Sequence, residues 1–271
     1  MVNIALRAAR VAGRIILHSM DRVDALDVRE KGPNDLVSEI DLQAEEAIIE
    51  TIAKSYPDHA VHAEESGASE AAADAEYTWV IDPLDGTTNF LHGIPHFCTS
   101  IAVTRGPVLE HGVVVDHVRN EQFTASRGAG AYVNGRRMRV SRHLRLDDSI
   151  MAGGLPFPAV DAHLDAYAAI LKDFMSRCRT IRRQGAAALD LAYLADGRVD
   201  GFFELGLKPW DMAAGVVIAR EAGGFVADAA GGERFLTTGN VVAANPRLFR
   251  ELLRLIRAHA AESGDAVLAN G

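Results

Sequence analysis

The chain has 271 residues, 48% of them apolar, and sets 28 Lys and Arg against 37 Asp and Glu, a formal charge of −9. That is apolar material for one large core or two modest ones, and the acid excess argues against broad electrostatic capture of nucleic acid or an anionic membrane. No apolar run approaches the ~20 residues a bilayer span needs, and Cys98 and Cys178 form no CxxC or Cys/His cluster, so no disulfide framework or structural zinc is expected, free buried thiols are, and a reducing cytoplasm fits.

The first stretch, MVNIALRAARVAGRIILHSM, carries early arginines of the kind found in targeting peptides. Its apolar residues Ile4, Ala8, Val11 and Ile15 nevertheless recur at helical spacing, and no small-residue cleavage site follows, so an amphipathic helix over 2–20 is expected. A second helix over 39–55 opens on SEID (38–41), which has capping-box spacing, and stops at Tyr56-Pro57. The short strand AVHA leads into Glu64-Glu65-Ser66, and an alanine- and acid-rich surface loop is expected over 67–76.

The strand YTWVID ends at Asp82, where Pro83 is expected to break it. From 97 to 140 the text is strand-rich: FCTSIAV, VLEHGVVVD, EQFTAS and GAYVNGRRMRV alternate with turns, and Asn134-Gly135 is a hairpin signal. After about 145 the pattern alternates. Strand SIMAGG precedes a helix near 160–177, strand CRTIRR, helix GAAALDLAYLAD, strand VDGFFEL and helix WDMAAGVVIAREAGG, then strands near 225 and 241 and a last helix from Pro246. The expectation is an antiparallel-leaning α+β half over 1–144 and an α/β half over 145–271, with the last ten residues frayed.

Chemistry concentrates in DPLDGTTNF (82–90). Carboxylates resist burial unless paired or metal-bound, so Asp82 and Asp85 at the mouth of a buried strand need a partner. They are hard oxygen ligands suited to Mg²⁺. A turn around Pro83 can leave the Leu84 carbonyl unpaired as a third oxygen, and Gly86 lets the backbone approach a ligand. The amides of Gly86, Thr87 and Thr88 at a helix start would favour a phosphate. A DxxD pair alone serves equally as a turn and helix cap. DxxDGT differs from the DxDxT of aspartyl-phosphate phosphatases, Arg105 falls one residue too far from Cys98 for CxxxxxR, and no GxSxG is present. Metal-activated water is the chemistry that remains.

Together with EES (64–66) and KPWDMAAGVVIAREAGG (208–224), DPLDGTTNF resembles the inositol monophosphatases, Mg²⁺-dependent and lithium-sensitive phosphatases. The likeness runs from KGPNDLVSEID (31–41) to GNVVAANP (239–246), and GAAALDLAYLADGRVDGFFELGLKPWD looks nearest to the bacterial branch, which includes an extragenic suppressor with a role in ribosomal RNA transcription. The resemblance implies a layered αβαβα sugar-phosphatase sandwich that hydrolyses inositol 1-phosphate. It also implies two to three Mg²⁺ per subunit, a homodimer, and a possible RNA polymerase or antitermination partner. It makes Glu64, Asp82 and the Leu84 carbonyl ligands of one Mg²⁺, and Asp82, Asp85 and Asp211 ligands of a second; Glu64 would help hold a third. Gly86 and Thr87 would cradle the phosphate, Thr87 with Asp41 would polarise the attacking water, and Ala187 and Glu204 would face the inositol ring with Arg182 nearby. Most ligands would thus lie in 1–144, with the substrate residues and the last ligand in 145–271. Three positions depart from the family pattern: Ala63 for Gly, Ala186 for Thr or Ser, and Asp190 for an Asn common in animal members. None removes a ligand.

Bland readings stand beside these. Asp41 and Asp211 read equally as helix caps, Glu65 as solvated or behind the ligands, Arg182-Arg183 as a solvated face, the histidines as structural, and Trp79 and Trp210 as packing residues beside the site.

Overall fold

Period-two alternation along the strands sorts the apolar residues into three separate cores, and those cores dictate the layering. The computed structural model describes residues 1–25, 28–32, 35–69, 75–154 and 160–262. Helix α1 (Val2–Ser19) is followed by the hairpin β1 (Val28–Gly32) and β2 (Asp35–Ser38), then α2 (Glu39–Ala53). Strands β3 (Ala60–Ala63), β4 (Gly67–Ala68) and β5 (Tyr77–Asp85) precede the short α3 (Thr87–Leu91), and β6 (Cys98–Arg105), β7 (Val108–Asp116), β8 (Glu121–Ser126), β9 (Gly130–Val133) and β10 (Arg136–Arg137) form a meander. The rest alternates: β11 (Ile150–Ala152), α4 (Val160–Arg177), β12 (Thr180–Arg182), α5 (Ala187–Ala195), β13 (Gly201–Glu204), α6 (Pro209–Glu221), β14 (Phe225–Ala227), α7 (Phe235–Thr238), β15 (Val241–Ala244) and α8 (Phe249–Glu262).

Strands β3 to β10 form one eight-stranded sheet in the order β10-β9-β8-β7-β6-β5-β3-β4, and β11 to β15 form a five-stranded sheet in the order β12-β11-β13-β15-β14. On β5, Trp79 and Ile81 face the helices α1 and α2, whereas Val80 faces α5 and α6. On β15, Val241 and Ala243 join the α5/α6 core, while Val242 and Ala244 join a third core with α4 and α8. The layers therefore run α1/α2, large sheet, α5/α6, small sheet, α4/α8, which is the expected αβαβα sandwich. All nine residues of α5 are buried, as a helix between two sheets requires. Gly112 on β7 is one place where contact is closest: a Cβ there would stand 2.4 Å from the Ala214 carbonyl oxygen of α6.

Several expectations need correcting. Pro83 does not end its strand, because β5 continues to Asp85 through an irregular register. Gly67 and Ala68, expected in a loop, pair with β3 after a three-residue turn, with Gly67 at φ +75°. Residues 70–74 of that loop, and the expected frayed end beyond Glu262, lie outside the described residues. The β1–β2 hairpin and α7 were not anticipated, being too short to carry a periodic signal. Cys178 is only partly buried, whereas Cys98 is fully so; both thiols are free. Among the described residues, no helix is long and apolar enough to cross a membrane.

Candidate metal and phosphate site

The irregularity in β5 builds the site. Asp82 pairs with Ser100 and Asp85 with Cys98, so three steps on β5 match two on β6. One residue is extra, a β-bulge, and Pro is tolerated there because it owes the ladder no N–H. Residues three apart on a regular strand point to opposite faces. The bulge cancels that inversion, so Asp82 and Asp85 both turn toward α5 and α6, while Leu84 packs among the residues facing α1 and α2. Thr99 holds the bulge from β6, its hydroxyl donating to the Pro83 carbonyl at 2.8 Å. His117 Nε2 lies 2.8 Å from the same hydroxyl. The single Thr99 proton is committed to a carbonyl, so Nε2 must carry the proton it donates to Thr99. Burial lowers the His117 pKa to about 4, consistent with that neutral ring.

The parallel pairing of β3 with β5, Ala63 opposite Ile81, delivers Glu64 beside Asp82, and the Glu64 N–H donates to the Ile81 carbonyl at 3.1 Å. Behind that turn lies a residue the sequence reading missed. Buried Glu45 of α2 accepts the Glu65 N–H at Oε2 and the Ser66 N–H at Oε1, both at 2.8 Å.

After the bulge, Gly86 adopts φ +97° and opens α3 without any side-chain cap. A Cβ there would approach the His96 carbonyl oxygen to 3.0 Å, so only glycine suits both the angle and the space. The Thr87 hydroxyl faces two acceptors, Asp41 Oδ1 at 2.9 Å and the Leu84 carbonyl at 3.0 Å. A hydroxyl carries one proton, so Thr87 donates to Asp41 or to the Leu84 carbonyl but not to both at once, and the first turn of α3 brings the three groups together. Asp41 caps α2, its Oδ2 accepting the Ser38 N–H at 2.9 Å, while its Oδ1 accepts Thr87. Burial raises the Asp41 pKa, opposed by the Ser38 and Thr87 hydrogen bonds. Asn89, also missed, donates to the His96 and Gln184 carbonyls, 2.7 Å each, and so ties α3 to the turn before α5.

The α5/α6 layer and the small sheet supply the other wall. The Ala188 N–H donates to Asp85 Oδ2 at 2.8 Å. Asp211 caps α6, accepting the Lys208 N–H at 2.7 Å, and also lines the cleft. Glu204 ends β13 against Gly154, where a Cβ would fall 1.7 Å from its carboxylate, so Gly154 makes its room. The cleft, of about 380 Å³, is lined by Glu64, Asp82, Leu84, Asp85, Gly86, Thr87, Thr88, Asn89, Arg183, Gly185, Ala187, Glu204, Leu207 and Asp211. Arg182 is not among them. It is exposed, with its guanidinium on the Thr180 hydroxyl at 2.7 Å, and its neighbour Arg183 lines the cleft instead. A three-residue edge strand sends successive side chains to opposite faces, and no sequence signal distinguishes which arginine turns inward. Trp79 packs in the α1/α2 core, not beside the cleft, with its Nε1–H donating to His59 at 3.0 Å; Trp210 flanks Asp211.

Five carboxylates and one arginine share this cleft, and the imbalance is felt. Burial, then the charges of Glu64, Asp85 and Asp211, push the Asp82 pKa well up. Burial brings Asp85 up to about 7 against hydrogen bonds from Ala188 and Cys98. Burial, then Asp190, Asp211 and Asp85, raise Glu204 well above the carboxylate range. No three His, Cys, Asp or Glu side chains among the described residues converge as a ready-made cage. The donor set itself nonetheless fits hard divalent cations: all oxygen, no imidazole, and surplus negative charge under burial.

Layers stacked in this order around an acidic cleft at strand ends define the sugar-phosphatase class of fold. The family model for inositol monophosphatases matches residues 1–261, and the chain belongs to that family. It is 50% identical over 262 residues to the "Nus factor SuhB" of Pseudomonas aeruginosa, covering 96% of each chain, and 51% identical over 257 residues to that of Escherichia coli (strain K12), covering 95% of this chain and 96% of the other. Among solved structures, the extragenic suppressor protein suhB of Bartonella henselae superposes with a TM-score of 0.89 at 43% identity, covering 94% of this chain and 97% of that one. The inositol monophosphatase of Anabaena (Nostoc) does so with a TM-score of 0.83 at 35% identity, covering 95% of each.

Proposed function

We propose that this chain is a Mg²⁺-dependent phosphomonoesterase that hydrolyses inositol 1-phosphate to inositol and phosphate. The observation that carries the reading is the meeting, in one cleft, of five carboxylates with the Gly86 turn and the Thr87–Asp41 pair. Glu64, Asp82, Asp85, Asp211 and the Leu84 carbonyl would hold two to three Mg²⁺. Bound Mg²⁺ would neutralise charge on the phosphate oxygens and lower the pKa of the attacking water. Thr87 would take the water's proton at Oγ1 as its own passes to Asp41 Oδ1, while the water oxygen attacks phosphorus. The phosphorus–ester oxygen bond would break on the far side, and the leaving alkoxide would take a proton from solvent water to become the free alcohol. The Gly86 and Thr87 backbone would hold the phosphate. Glu204 and Ala187 would meet the ring hydroxyls, with Arg183 in the role first given to Arg182.

A panel of inositol 1-phosphate, histidinol phosphate, fructose 1,6-bisphosphate and 3′-phosphoadenosine 5′-phosphate at fixed Mg²⁺ tests the substrate. Inositol 1-phosphate should give the highest kcat/KM, with activity abolished by chelation and blocked by lithium. Full turnover in chelator would end the reading. Glu204→Gln should change discrimination between inositol phosphate and simpler monoesters more than it changes metal affinity. The family also suggests a homodimer, which sedimentation would measure.

A second reading is favoured by the relatives' name, "Nus factor": the chain would also be a regulatory partner of the transcription machinery. A pull-down of RNA polymerase with wild type and Asp211→Asn separates the roles, since capture that survives loss of hydrolysis marks an independent function.

A further inference from the structure

We propose that Glu45 is a positioning residue that fixes the main chain carrying Glu64, so that helix α2 sets both the base side and the metal side of the cleft. The inference rests on the reading of Glu64 as a cation ligand. Glu45 is 3% exposed, yet among the described residues it meets no arginine or lysine in a hydrogen bond; its two oxygens accept the consecutive N–H groups of Glu65 and Ser66 at 2.8 Å each. Burying a carboxylate is costly unless it is hydrogen-bonded, and two charge-assisted bonds to one turn are the compensation observed. With both oxygens so used, Glu45 itself is no candidate ligand, and it does not line the cleft.

The turn it grips is short. Three residues, Glu64 to Ser66, connect β3 to the two-residue β4. The β3–β5 ladder ends at the Glu64 N–H, bonded to the Ile81 carbonyl, and the next two main-chain N–H groups go to the Glu45 carboxylate. Asp41 and Glu45 are four residues apart on one helix and therefore share a face. Asp41 accepts Thr87, and Glu45 accepts the turn behind Glu64. A single rigid element thus sets the separation between the hydroxyl that would orient water and the carboxylate that would hold a cation. Ile40, Ala44 and Ile48 lock that element into the α1/α2 core.

The test compares Glu45→Gln with Glu64→Gln and with Glu46→Gln, an exposed site on the same helix. Glutamine keeps the volume but presents one acceptor and one amide donor, so one of the two N–H groups loses its acceptor. Mg²⁺ binding is read by calorimetry, and exchange of the Glu65 and Ser66 amides by hydrogen–deuterium exchange. Turnover, KM, and the thermal midpoint in chelator complete the set. Glu45→Gln should weaken Mg²⁺ binding about tenfold or more, speed exchange of both amides, and regain most turnover at raised Mg²⁺ with KM little changed. Glu46→Gln should match wild type. A lowered midpoint in chelator with Mg²⁺ affinity unaltered means a purely structural role and overturns the proposal. Where Glu45→Gln does not fold, Glu45→Asp, one methylene shorter, should show the same metal and exchange shifts; wild-type values there overturn it equally. If Glu64→Gln leaves Mg²⁺ binding intact, the metal reading fails first. If Glu64→Gln weakens binding and Glu45→Gln does not, only the positioning role falls.

Discussion

In the Thr87–Asp41 pair a hydroxyl with free lone pairs leans on a carboxylate whose other oxygen is anchored. Thr87→Ala should therefore leave Mg²⁺ affinity near wild type by calorimetry and lower kcat by about 10²-fold, since only the orientation and proton acceptor of the water are lost. Asp190 carries a pH prediction. It is buried, accepts the Gln184 amide at 2.6 Å, and burial lifts its pKa to about 7. The folded chain then holds a proton there that the unfolded chain releases near the ordinary aspartate value. Unfolded protein binds fewer protons across that interval, so stability is greatest below it and falls as pH rises toward about 7. The fall has an upper limit on the order of 4 kcal/mol. Asp190→Asn should flatten this slope in urea unfolding of the metal-free protein between pH 5 and 8; an unchanged slope would assign it to other groups.

Two elements make the cleft possible by approaching each other closely. Strand β7 meets α6 at Gly112, where an added methyl would collide with the Ala214 carbonyl. Backbone cannot rotate away as a side chain can, so Gly112→Ala should push α6, with Asp211 at its start, off the sheet. A loss of about 1–3 kcal/mol in denaturant unfolding is expected, with weakened Mg²⁺ binding because α6 carries Asp211, a proposed ligand. The bulge in β5 is the other element-level device. Deleting Pro83 would restore a regular ladder in which Asp82 and Asp85, then two apart, still share a face, but it would remove the carbonyl that Thr99 holds and re-aim the Leu84 carbonyl, so the prediction is a folded protein with weakened Mg²⁺ binding and hydrolysis.

At the scale of the whole molecule, the cleft gathers residues from helices α3, α5 and α6 and from both sheets, with Asp41 of α2 behind Thr87, so cation binding should report on the fold as a unit. A ligand that binds only the folded chain adds about 2.7 kcal/mol at a hundredfold excess over Kd. Mg²⁺ should raise the thermal midpoint of chelated wild type accordingly. Asp82→Asn, which removes the most deeply shared charge, should abolish that rise while leaving the midpoint in chelator unchanged or higher, because one repelling carboxylate is gone. An Asp82→Asn protein that is stabilised by Mg²⁺ like wild type and still turns over would reduce the aspartates to caps.

The strands around Asp82, the two helices opening on Ser38 and Lys208, and the alternating text after 145 were legible in the sequence because each is a local signal: apolar period, cap spacing, turn residues. DPLDGTTNF suggested a cation and phosphate site for the same reason, since its carboxylates, glycine and threonines are neighbours along the chain. Asp41, Glu64, Glu204 and Asp211 were named by resemblance, being separated by tens of residues. That Asp82 and Asp85 face one way, that Arg183 and not Arg182 turns into the cleft, and that Glu45, Asn89, Thr99 and His117 brace the turns depended on strand register and on layers meeting. Those are decided only when the whole chain packs, because a side chain's facing is relative to partners that one-dimensional spacing does not contain.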